Sequence, residues 1–401
     1  MHFYMPVREL TLRAMPPEKL HWKHLKAEVI DTNLCTGCAG CVVACPHDDV
    51  LGYDQKWKPY QLEHQPDPDD CVHGHKGCTL CTRACPRFRA WELEVDTAMF
   101  GRPREPDEVV GFFKDIVLAR ATNAEYLEKG QDGGLCSAML IWCLRNGEID
   151  GALTSHLTGD GSSWTTIPVV ATTEEGVLAG AGSRYTYSAN TLAYFDAMDQ
   201  GLSKLALVGM GCQSSSIPTM QVRGARKPAN KIALNIGLLC SKTFDDSIFE
   251  QLLLAKYGIA RNEIIKMNIK GKLQLWLTGD RYVEVPLKEC HAFTREGCTH
   301  CPDFAAEHAD ISMGGLGQTG GWTLTLIRTD RGRDIFDRMA ADGWVEFTDA
   351  ADTDPAAVSL MRKLAVKSRE RWPTPVSDPS GQPGRVPAKV KVTTEPAPAA
   401  G

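Results

Sequence analysis

The sequence lacks the features of a membrane-spanning, exported or nucleic-acid-binding protein. In this chain of 401 residues the longest apolar runs, around AMLIWCL and KIALNIGLLC, fall far short of the roughly 20 residues that a membrane span needs. The net charge is −6 and no stretch concentrates lysine and arginine, which argues against a surface for nucleic acid or anionic lipid. The first residues show neither the basic-then-apolar order nor the small-residue cleavage site of an export signal, so we expect a cytoplasmic protein.

What the sequence does have is cysteine. Fifteen cysteines without an export signal favour a reducing compartment, where thiolates bind metal instead of forming disulfides. CTGCAGCVVACP begins at Cys35, and its x2, x2, x3 spacing before Pro46 is the bacterial ferredoxin arrangement for a [4Fe–4S] cluster. Structural zinc also uses Cys-x-x-Cys pairs, but it has no need of the third cysteine or of the repeated Cys-Pro ending. We therefore predict iron–sulfur clusters.

A second run, CVHGHKGCTLCTRACP, begins at Cys71, so the two runs predict two clusters. In two-cluster ferredoxins the fourth cysteine of each run binds the other cluster. This rule assigns one cluster to Cys35, Cys38, Cys41 and Cys85, and the other to Cys71, Cys78, Cys81 and Cys45. Six residues instead of two separate Cys71 from Cys78, which leaves open that His73 or His75 replaces Cys71 as a ligand. Two clusters held by crossed ligands indicate a one-electron carrier.

Beyond a Pro/Gly/acidic stretch, the chain predicts strands that alternate with helices, which indicates an α/β domain. DIVLARAT, DGALTSHL, KLALVGMG and KIALNIGLLC are expected strands, and GGLCSAMLIWCLRNG is an expected helix. A further helix is predicted to bury one face formed by Phe244, Ile248, Leu252 and Ala255. IIKMNIKGKLQLWL and RYVEVPL predict an antiparallel insertion or edge.

These patterns divide the chain into five predicted segments. We expect an N-terminal extension (1–28), a small α+β ferredoxin-like domain with two [4Fe–4S] clusters (29–100), a linker (101–114), an α/β domain with a mixed sheet (115–372) and a disordered tail (373–401). The tail is rich in Pro, Gly and Ala and has almost no large apolar residue, so it cannot bury enough surface to offset chain entropy.

The large domain carries a further set of cysteines. Cys212 and Cys240 each end a predicted strand, and strand ends in an α/β sheet lie along one edge. With Cys298 and Cys301 they make four thiolates, enough for a third [4Fe–4S] cluster or a zinc, and Cys290 is a competing fourth ligand. Cys136 and Cys143 lie seven residues apart on an apolar helix, which favours a structural role in the core.

Glycine is concentrated in three segments, which span residues 130–137, 209–216 and 313–323. Glycines before a helix let backbone amides approach a phosphate. None of the three matches the Rossmann fingerprint or a P-loop, and ordinary turns explain each of them equally well.

Several linked motifs of the large domain resemble a known family. WTTIPVVATTEEGVLAGAGSRYTYSAN, VGMGCQ, NIGLLC and CTHCPDFAAEHADISMGGLGQTGGWTLTLIRTDRG together resemble the beta subunit of coenzyme F420 hydrogenases and dehydrogenases. The resemblance covers about residues 115–333. The family also includes 7-hydroxymethyl chlorophyll a reductase and ferredoxin-dependent 8-vinyl reductases. Members commonly carry GTPCQ where this chain has GMGCQ, so the turn before Cys212 departs from the pattern while the cysteine is kept.

The resemblance implies a non-covalent FAD beside a [4Fe–4S] cluster. It places Cys212, Cys240, Cys298 and Cys301 on that cluster and Gly133, Gly134, Ser183, Arg184 and Tyr185 in the flavin pocket. Arginine can pair with a pyrophosphate through two hydrogen bonds, and tyrosine offers an aromatic face and a hydroxyl, so these residue types suit that role.

The implied function is an oxidoreductase that passes electrons between coenzyme F420, which moves hydrides, and ferredoxin or another redox subunit, which takes single electrons. FAD handles both kinds of transfer and [4Fe–4S] clusters carry single electrons. Two alternatives stay open: a ferredoxin-dependent reductase of an organic, tetrapyrrole-type substrate, and a non-catalytic electron-transfer subunit. The chain is expected to work as a homo-oligomer, as part of a hetero-oligomer, or alone.

Overall fold

The computed structural model describes residues 19–371, except residues 48–49, 55, 63–69, 90, 160–162 and 318–319. The predicted tail (373–401) lies outside the described residues, as do residues 1–18 of the predicted N-terminal extension. Within the described part, no helix is both long enough and apolar enough to cross a membrane.

Short helices and one hairpin build the N-terminal region. In chain order its elements are α1 (Trp22–Leu25), a π-helical turn (Lys26–Ile30), α2 (Gly40–Val43), β1 (Leu51–Tyr53), β2 (Pro59–Gln61), α3 (Val72–His75), α4 (Leu80–Ala84) and α5 (Glu92–Phe100). Strands β1 and β2 pair antiparallel. The side chains of Trp22, Leu25, Val29 and Phe88 are buried together around the cysteines. Apolar packing therefore places the first described residues of the chain against both cysteine runs.

The large domain is built on one mixed sheet, which confirms the predicted mixed α/β class. Eight described strands form it in the order β13-β3-β12-β11-β7-β6-β4-β5. Their bounds are β3 (Asp115–Ala121), β4 (Gly151–Leu157), β5 (Thr166–Ala171), β6 (Leu205–Met210), β7 (Ile232–Leu238), β11 (Ile311–Gly314), β12 (Thr323–Ile327) and β13 (Val345–Asp349). The four central strands β11, β7, β6 and β4 run parallel, and the strands outside them pair antiparallel. All four predicted strands are present.

Helices cover the sheet and carry the site residues at its edge. They are α6 (Ala124–Lys129), α7 (Leu135–Arg145), α8 (Glu174–Ala179), α9 (Ala193–Asp199), α10 (Gly211–Ser214), α11 (Ser216–Val222), α12 (Arg226–Ala229), α13 (Ala255–Tyr257), α14 (Leu287–Cys290), α15 (Glu296–Thr299), α16 (Asp330–Ala341), α17 (Ala350–Thr353) and α18 (Pro355–Arg369), with 3₁₀ turns at Asn190–Leu192, Arg261–Glu263 and His291–Phe293. Helix α7 is apolar on nearly all sides and buries Cys143 in the main core, against which Cys136 packs.

A second, antiparallel sheet contains the predicted insertion. Its strands β8 (Ile264–Ile269), β9 (Lys272–Leu277) and β10 (Arg281–Pro286) pair in the order β10-β9-β8. Alternate residues of β9 (Leu273, Leu275 and Leu277) are fully buried. This period of two is the pattern of a strand with one buried face.

The helix that precedes this sheet differs from the predicted face. Residues Phe249–Leu254 form a π-helical segment, in which the wider turn moves later residues around the axis. Ile248 and Leu252 are buried as expected, but Leu253 is buried where Ala255 was predicted, and Ala255 is exposed. Phe244 is buried too, but it precedes the helix and forms isolated β-bridges with Thr186 and Thr294. The expected face was wrong at Phe244 and Ala255.

Buried ion pairs join the N-terminal region to the large domain. Asp96 of α5 accepts hydrogen bonds at 2.6 and 2.7 Å from the guanidinium of Arg104, whose other side contacts Glu307. Arg369 at the end of α18 pairs with Glu92 of α5 and with Glu307. All five side chains are at least nine-tenths buried. A charge buried this deeply is strongly unfavourable without its partner, so the ion pairs hold α5 against the large domain.

Candidate metal centres

The structure collects twelve of the fifteen cysteines into three groups, each drawn from separate parts of the chain. The inner cysteine group comprises Cys35, Cys38, Cys41 and Cys85, and these four residues line one cavity together with Leu25 and Val29. Burial raises the pKa of the Cys41 thiol well above its ordinary value, and the thiols of Cys85, Cys38 and Cys35 raise it further. Four thiols placed this close together are unfavourable as thiolates unless a cation joins them.

Left-handed turns place the inner group. Gly37 and Ala39 both adopt positive φ, at 81° and 60°, between Cys35 and the start of α2. This reversal lets Cys38 and Cys41 line the same cavity. Cys85 arrives from the other run, just after α4, and its sulfur accepts a hydrogen bond of 3.4 Å from the Arg87 amide.

The outer cysteine group comprises Cys45, Cys71, Cys78 and Cys81, which line a second cavity. Burial raises the pKa of the Cys81 thiol, and the thiols of Cys78, Cys45 and Cys71 add to the rise. Cys45 thus lies with the second run and Cys85 with the first, which is the crossed grouping expected from the spacing.

The six-residue insertion in the second run forms α3. The amide of Cys78 donates to the carbonyl of His73 at 2.9 Å, and this folds the insertion back so that Cys71 lines the cavity despite the longer spacing. His73 lines the cavity as well, stacked on His47 with ring centroids 3.5 Å apart. His75 is turned to Asp70, with its Nε2 3.1 Å from Oδ2. His73 therefore stays beside Cys71 as a possible donor, whereas His75 lies with Asp70.

The third cysteine group comprises Cys212, Cys240, Cys298 and Cys301. Strands β6 and β7 are parallel neighbours, and Cys212 and Cys240 follow their carboxyl ends. Burial raises the pKa of the Cys212 thiol to about 12, with added contributions from the thiols of Cys301 and Cys298, while the Tyr187 hydroxyl opposes the rise. The Cys240 thiol is raised by burial and then by the thiols of Cys298, Cys212 and Cys301.

Cys290 lies apart from the third group. It is fully buried in the core beneath the antiparallel sheet, and its sulfur donates to the Pro286 carbonyl at 3.7 Å. Burial and the Glu289 carboxylate raise its pKa, with no contribution from a second cysteine. The structure therefore gives Cys290 the surroundings of a core residue.

The three groups adjoin one another in the order outer, inner, third. The thiols of Cys41 and Cys81 interact across the first boundary, and those of Cys38 and Cys212 across the second. At the second boundary Gly297 touches the first cysteine run: a methyl group there would overlap the Cys35 carbonyl oxygen and lie 2.8 Å from Thr36 Cα. Only glycine allows this approach without a shift of the backbone.

A partly buried arginine also occupies this second boundary. The guanidinium of Arg295 stacks on the Tyr187 ring at 3.8 Å and donates to the Thr36 carbonyl at 3.1 Å. The Tyr187 hydroxyl in turn lies 3.8 Å from the Cys212 sulfur. Neither Arg295 nor Gly297 was singled out from the sequence, because no local pattern marks them. Tyr187 lies in the motif SRYTYSAN, but no role was assigned to it.

The residues expected in a flavin pocket lie on two loops at the edge of the main sheet. Gly134 has a φ of 63° at the start of α7, and the amide of Gly133 donates to Thr323 Oγ1 at 3.1 Å. The first and third glycine-rich segments therefore meet, since Gly133 belongs to one and Thr323 to the other. The second loop approaches through Ser183, whose amide donates to Gln131 Oε1 at 3.4 Å.

Arg184, one of the residues expected to bind the flavin, has a hydrogen-bond donor without a partner. Its Nη1 donates to the carbonyls of Gly180 and Gly182 and its Nη2 to that of Ala179, but its Nε is buried without a hydrogen-bond partner. Burial lowers its pKa to about 10, and no carboxylate of the described residues pairs with it. A partly buried guanidinium with an unpartnered Nε suits an anion such as a pyrophosphate.

Tyr185 is already engaged by the antiparallel sheet. Its hydroxyl donates to Asn268 Oδ1 at 3.0 Å and accepts from the Ile269 amide at 3.1 Å. The backbone of Tyr185 has a φ of 60°, which turns the loop between Arg184 and Thr186. We conclude that its hydroxyl holds the loop in place, which leaves the ring face as the part that a cofactor would contact.

The donor sets match the cofactors suggested by the sequence. Each group offers four sulfur donors, which are the ligands of a [4Fe–4S] cluster, and the charge of such a cluster would offset the cost of deprotonating buried thiols. Arg184 and the glycine loop before α7 offer a cation and helix-terminal amides for a dinucleotide.

Comparisons with known proteins find one family and several relatives that this chain resembles. Residues 116–194 and 202–353 match the family models described as coenzyme F420 hydrogenase/dehydrogenase beta subunit, N-terminus and C-terminus. The coenzyme F420 hydrogenase subunit beta of Methanothermobacter thermautotrophicus is 35% identical over 268 residues, which cover 66% of this chain and 94% of that protein.

Two further relatives differ in how much they share. The coenzyme F420-dependent sulfite reductase of Methanocaldococcus jannaschii is 30% identical over 358 residues, or 86% of this chain and 52% of that protein. A chain of the F420-reducing [NiFe] hydrogenase complex from Methanosarcina barkeri has a similar solved structure, with a TM-score of 0.61 and 32% identity over 65% of this chain and 90% of that one.

Proposed function

Because this chain belongs to the coenzyme F420 hydrogenase/dehydrogenase beta subunit family, we propose that it exchanges electrons between coenzyme F420 and a one-electron partner, namely ferredoxin or another redox subunit. The proposal includes FAD at the edge of the main sheet and a [4Fe–4S] cluster in each cysteine group. A bound FAD takes up two electrons together and releases them singly, and each cluster carries one electron at a time.

The observation that carries the proposal is the serial order of the three cysteine groups. The third group lies at the carboxyl ends of β6 and β7, in the same domain as the proposed flavin pocket. The inner group adjoins it through Cys38 and Cys212, and the outer group lies farther along and includes three cysteines that are only partly buried. Twelve thiols in this order would hold a relay from the large domain to the face of the N-terminal region.

The chain's own residues have separable roles in this proposal. Arg184 would pair with the pyrophosphate of FAD through its unpartnered Nε, and Gly134 would let the cofactor approach the N-terminal amides of α7. The Tyr185 hydroxyl, held by β8, keeps the Arg184 loop in place. The cysteines hold the clusters, and the apolar residues around them exclude water.

The lengths of the matches support an electron relay that includes the N-terminal region of this chain. The match to the hydrogenase beta subunit covers 66% of this chain, whereas the match to the sulfite reductase covers 86% of this chain and about half of that protein. The extra matched length requires much of the N-terminal region. We infer that the N-terminal region passes electrons to a partner.

The test is anaerobic oxidation of reduced F420 by the iron-loaded, FAD-loaded full chain, with a viologen as electron acceptor. We expect rapid oxidation, and we expect Cys240→Ala to slow it by more than about a hundredfold, because metal-site changes already cost 10–100-fold when only outer-shell partners are lost. Cys290→Ala is the matched control, since it removes a buried cysteine outside the three groups. A protein that holds FAD and about twelve irons yet leaves F420 unoxidised would contradict the proposal.

The flavin site has a separate readout. Arg184→Met should lower the affinity for FAD by about tenfold to a hundredfold, because the loss of a charge-assisted hydrogen bond costs about 1.5–3 kcal/mol. FAD fluorescence during dialysis or dilution measures this affinity without any turnover. Iron content should stay at the wild-type value, since no cysteine is changed. An unchanged FAD affinity would place the cofactor elsewhere.

A further inference from the structure

Three side chains beside the outer cysteine group form a cluster that the electron-transfer proposal does not use. His21 Nε2 lies 2.8 Å from Asp70 Oδ1, and His75 Nε2 lies 3.1 Å from Asp70 Oδ2. The two imidazole nitrogens and a carboxylate oxygen all lie within 4.8 Å of one another. Two imidazoles and one carboxylate form a donor set for a divalent first-row transition metal.

Contacts at both ring nitrogens orient the His21 side chain. Its Nδ1 lies 2.9 Å from the Lys19 carbonyl oxygen. A carbonyl can only accept, so Nδ1 donates to it and Nε2 is the ring nitrogen that faces Asp70. His21 is 7% exposed and Asp70 5% exposed, and Nε2 has no hydrogen-bond partner despite its short distance to the carboxylate. Two potential ligand atoms, Nε2 of His21 and a carboxylate oxygen of Asp70, therefore face each other in a buried position.

The surroundings resemble the supporting shell of a metal site. Metal-binding histidines usually donate their other ring N–H to a carbonyl or carboxylate, as His21 does to Lys19. The carboxylate is also fixed, because the Cys71 amide donates to Asp70 Oδ1 at 2.8 Å. Gly74 presses against the His21 ring so closely that a methyl group there would overlap it. Both buried ligands are therefore held in position.

The remaining contacts leave one side of the cluster open to solvent. The His75 side chain is 60% exposed, so a metal and a water ligand could enter from that side. Lys23 Nζ lies 3.6 Å from Asp70 Oδ2, but its side chain is 48% exposed and can turn into solvent.

We propose that His21, Asp70 and His75 bind a divalent first-row transition metal such as zinc, at a site separate from the cysteine groups. The metal joins the segment before α1 to α3, the six-residue insertion that carries the outer group away from standard ferredoxin spacing. It thereby fixes the insertion that brings Cys71 to the outer cavity. The site is independent of the proposed reaction with F420.

The test uses zinc on the full chain with its iron–sulfur clusters already assembled, so that the cysteines are occupied. After excess zinc is removed, we expect about one zinc per chain by elemental analysis. Extended X-ray absorption fine structure at the zinc edge should show nitrogen and oxygen ligands at about 2.0–2.2 Å and no sulfur at about 2.3 Å. This measurement needs no variant. A sulfur shell, or zinc at background level, would overturn the proposal.

The variant His75→Gln tests the ligand assignment. Because His75 is exposed, the change should leave iron content unchanged and weaken zinc binding by at least about tenfold. His291→Gln, at another exposed histidine, is the matched control and should bind zinc as the wild type does. Equal zinc affinity in His75→Gln and the wild type would refute the site, and a protonated His21–Asp70 ion pair would then explain the cluster.

Discussion

The inner and outer cysteine groups have the same composition and different surroundings. Three of the four inner cysteines are buried, and the group is bounded by Gly297 and Arg295 of the large domain. Three of the four outer cysteines are partly exposed, and histidines 21, 47 and 73 lie around their cavity in place of the large domain. The spacing of the cysteines treats the two groups alike. The packing of the surrounding residues makes the inner group more buried than the outer one.

This difference suggests a division of labour. A buried, enclosed group is suited to passing electrons within the protein, because it is shielded from solvent and from partners. A group near the surface is suited to exchange with a partner. In the proposed relay the inner group is therefore an obligatory link, and the outer group is the exit or entry point.

The largest expected effect comes from removing one ligand of each group. Cys38→Ser and Cys78→Ser should each lower iron content by up to about four atoms per chain. Cys38→Ser should slow electron transfer from reduced F420 to ferredoxin by more than about a hundredfold, and it should slow transfer to a small viologen as well.

Cys78→Ser should abolish transfer to ferredoxin and leave much of the viologen activity, because a small acceptor can take electrons from the groups that remain. Stopped-flow absorbance with each acceptor measures the difference. Cys143→Ala, a core cysteine on α7, is the control for loss of a buried thiol. Equal losses with both acceptors in the two serine variants would remove the distinction between the groups.

The second effect concerns the ion pairs that hold the whole N-terminal region in place. Asp96→Asn leaves the buried Arg104 with one partner fewer and should cost about 3 kcal/mol of stability at pH 7. Burial raises the pKa of Asp96, but hydrogen bonds from Arg104 and His308 outweigh it and hold the pKa at about 2. A depressed carboxyl pKa stabilises the fold above its unfolded value of about 4, and the gain is lost as pH falls through about 2.

The stability of the wild type and of Asp96→Asn should therefore converge between pH 4 and pH 2. Thermal unfolding followed by circular dichroism across this range measures the convergence. Asp334→Asn, at an exposed ion pair of α16, is the control and should cost less than about 1 kcal/mol at every pH. A constant difference between wild type and Asp96→Asn down to pH 2 would show that Asp96 does not contribute through its charge.

The third effect is confined to the boundary between the inner and third groups. Gly297→Ala forces the Cys35 carbonyl away from α15 and should cost about 1–3 kcal/mol, as overpacking does. Transfer from reduced F420 should slow for ferredoxin and viologen alike, while iron content is kept. Gly176→Ala on α8, where a methyl group meets only ordinary contacts, should leave both stability and transfer unchanged. If Gly297→Ala were as stable as the wild type, residue 297 would not be tightly packed against the Cys35 carbonyl.

The sequence could predict the grouping of the cysteines because their spacing acts locally. Cys35, Cys38 and Cys41 lie within one short loop, and only a few folds of such a loop bring three thiols to one cavity. Four of the eight strands of the main sheet, β3, β4, β6 and β7, were equally predictable, since short apolar runs mark them. Cys212 and Cys240 followed from the rule that parallel strand ends share an edge.

What the sequence could not predict depends on contacts between distant segments. Gly297 meets Cys35 across more than 250 residues, and Arg104 meets Glu307 across about 200. The π-helical segment at Phe249–Leu254 moved the buried face from Ala255 to Leu253, because the wider turn is set by packing rather than by periodicity. The Tyr185 hydroxyl belongs to this class too, since its partners lie on β8.

The smallest expected effect would sharpen the comparison without disturbing the fold. Arg295 places a partly buried positive charge between the inner and third groups, against Thr36 and Tyr187. A positive charge favours the reduced, more negative cluster, so Arg295→Met should lower the reduction potential of the inner cluster by on the order of 40 mV, or about 1 kcal/mol. Arg295→Lys should lower it less, because the charge is kept while the stacking on Tyr187 is lost. Redox titration followed by electron paramagnetic resonance resolves these shifts, with the outer cluster as internal control. A shift of equal size in the outer cluster would mean that the two groups share one electrostatic environment, and the difference between them would then lie in solvent access alone.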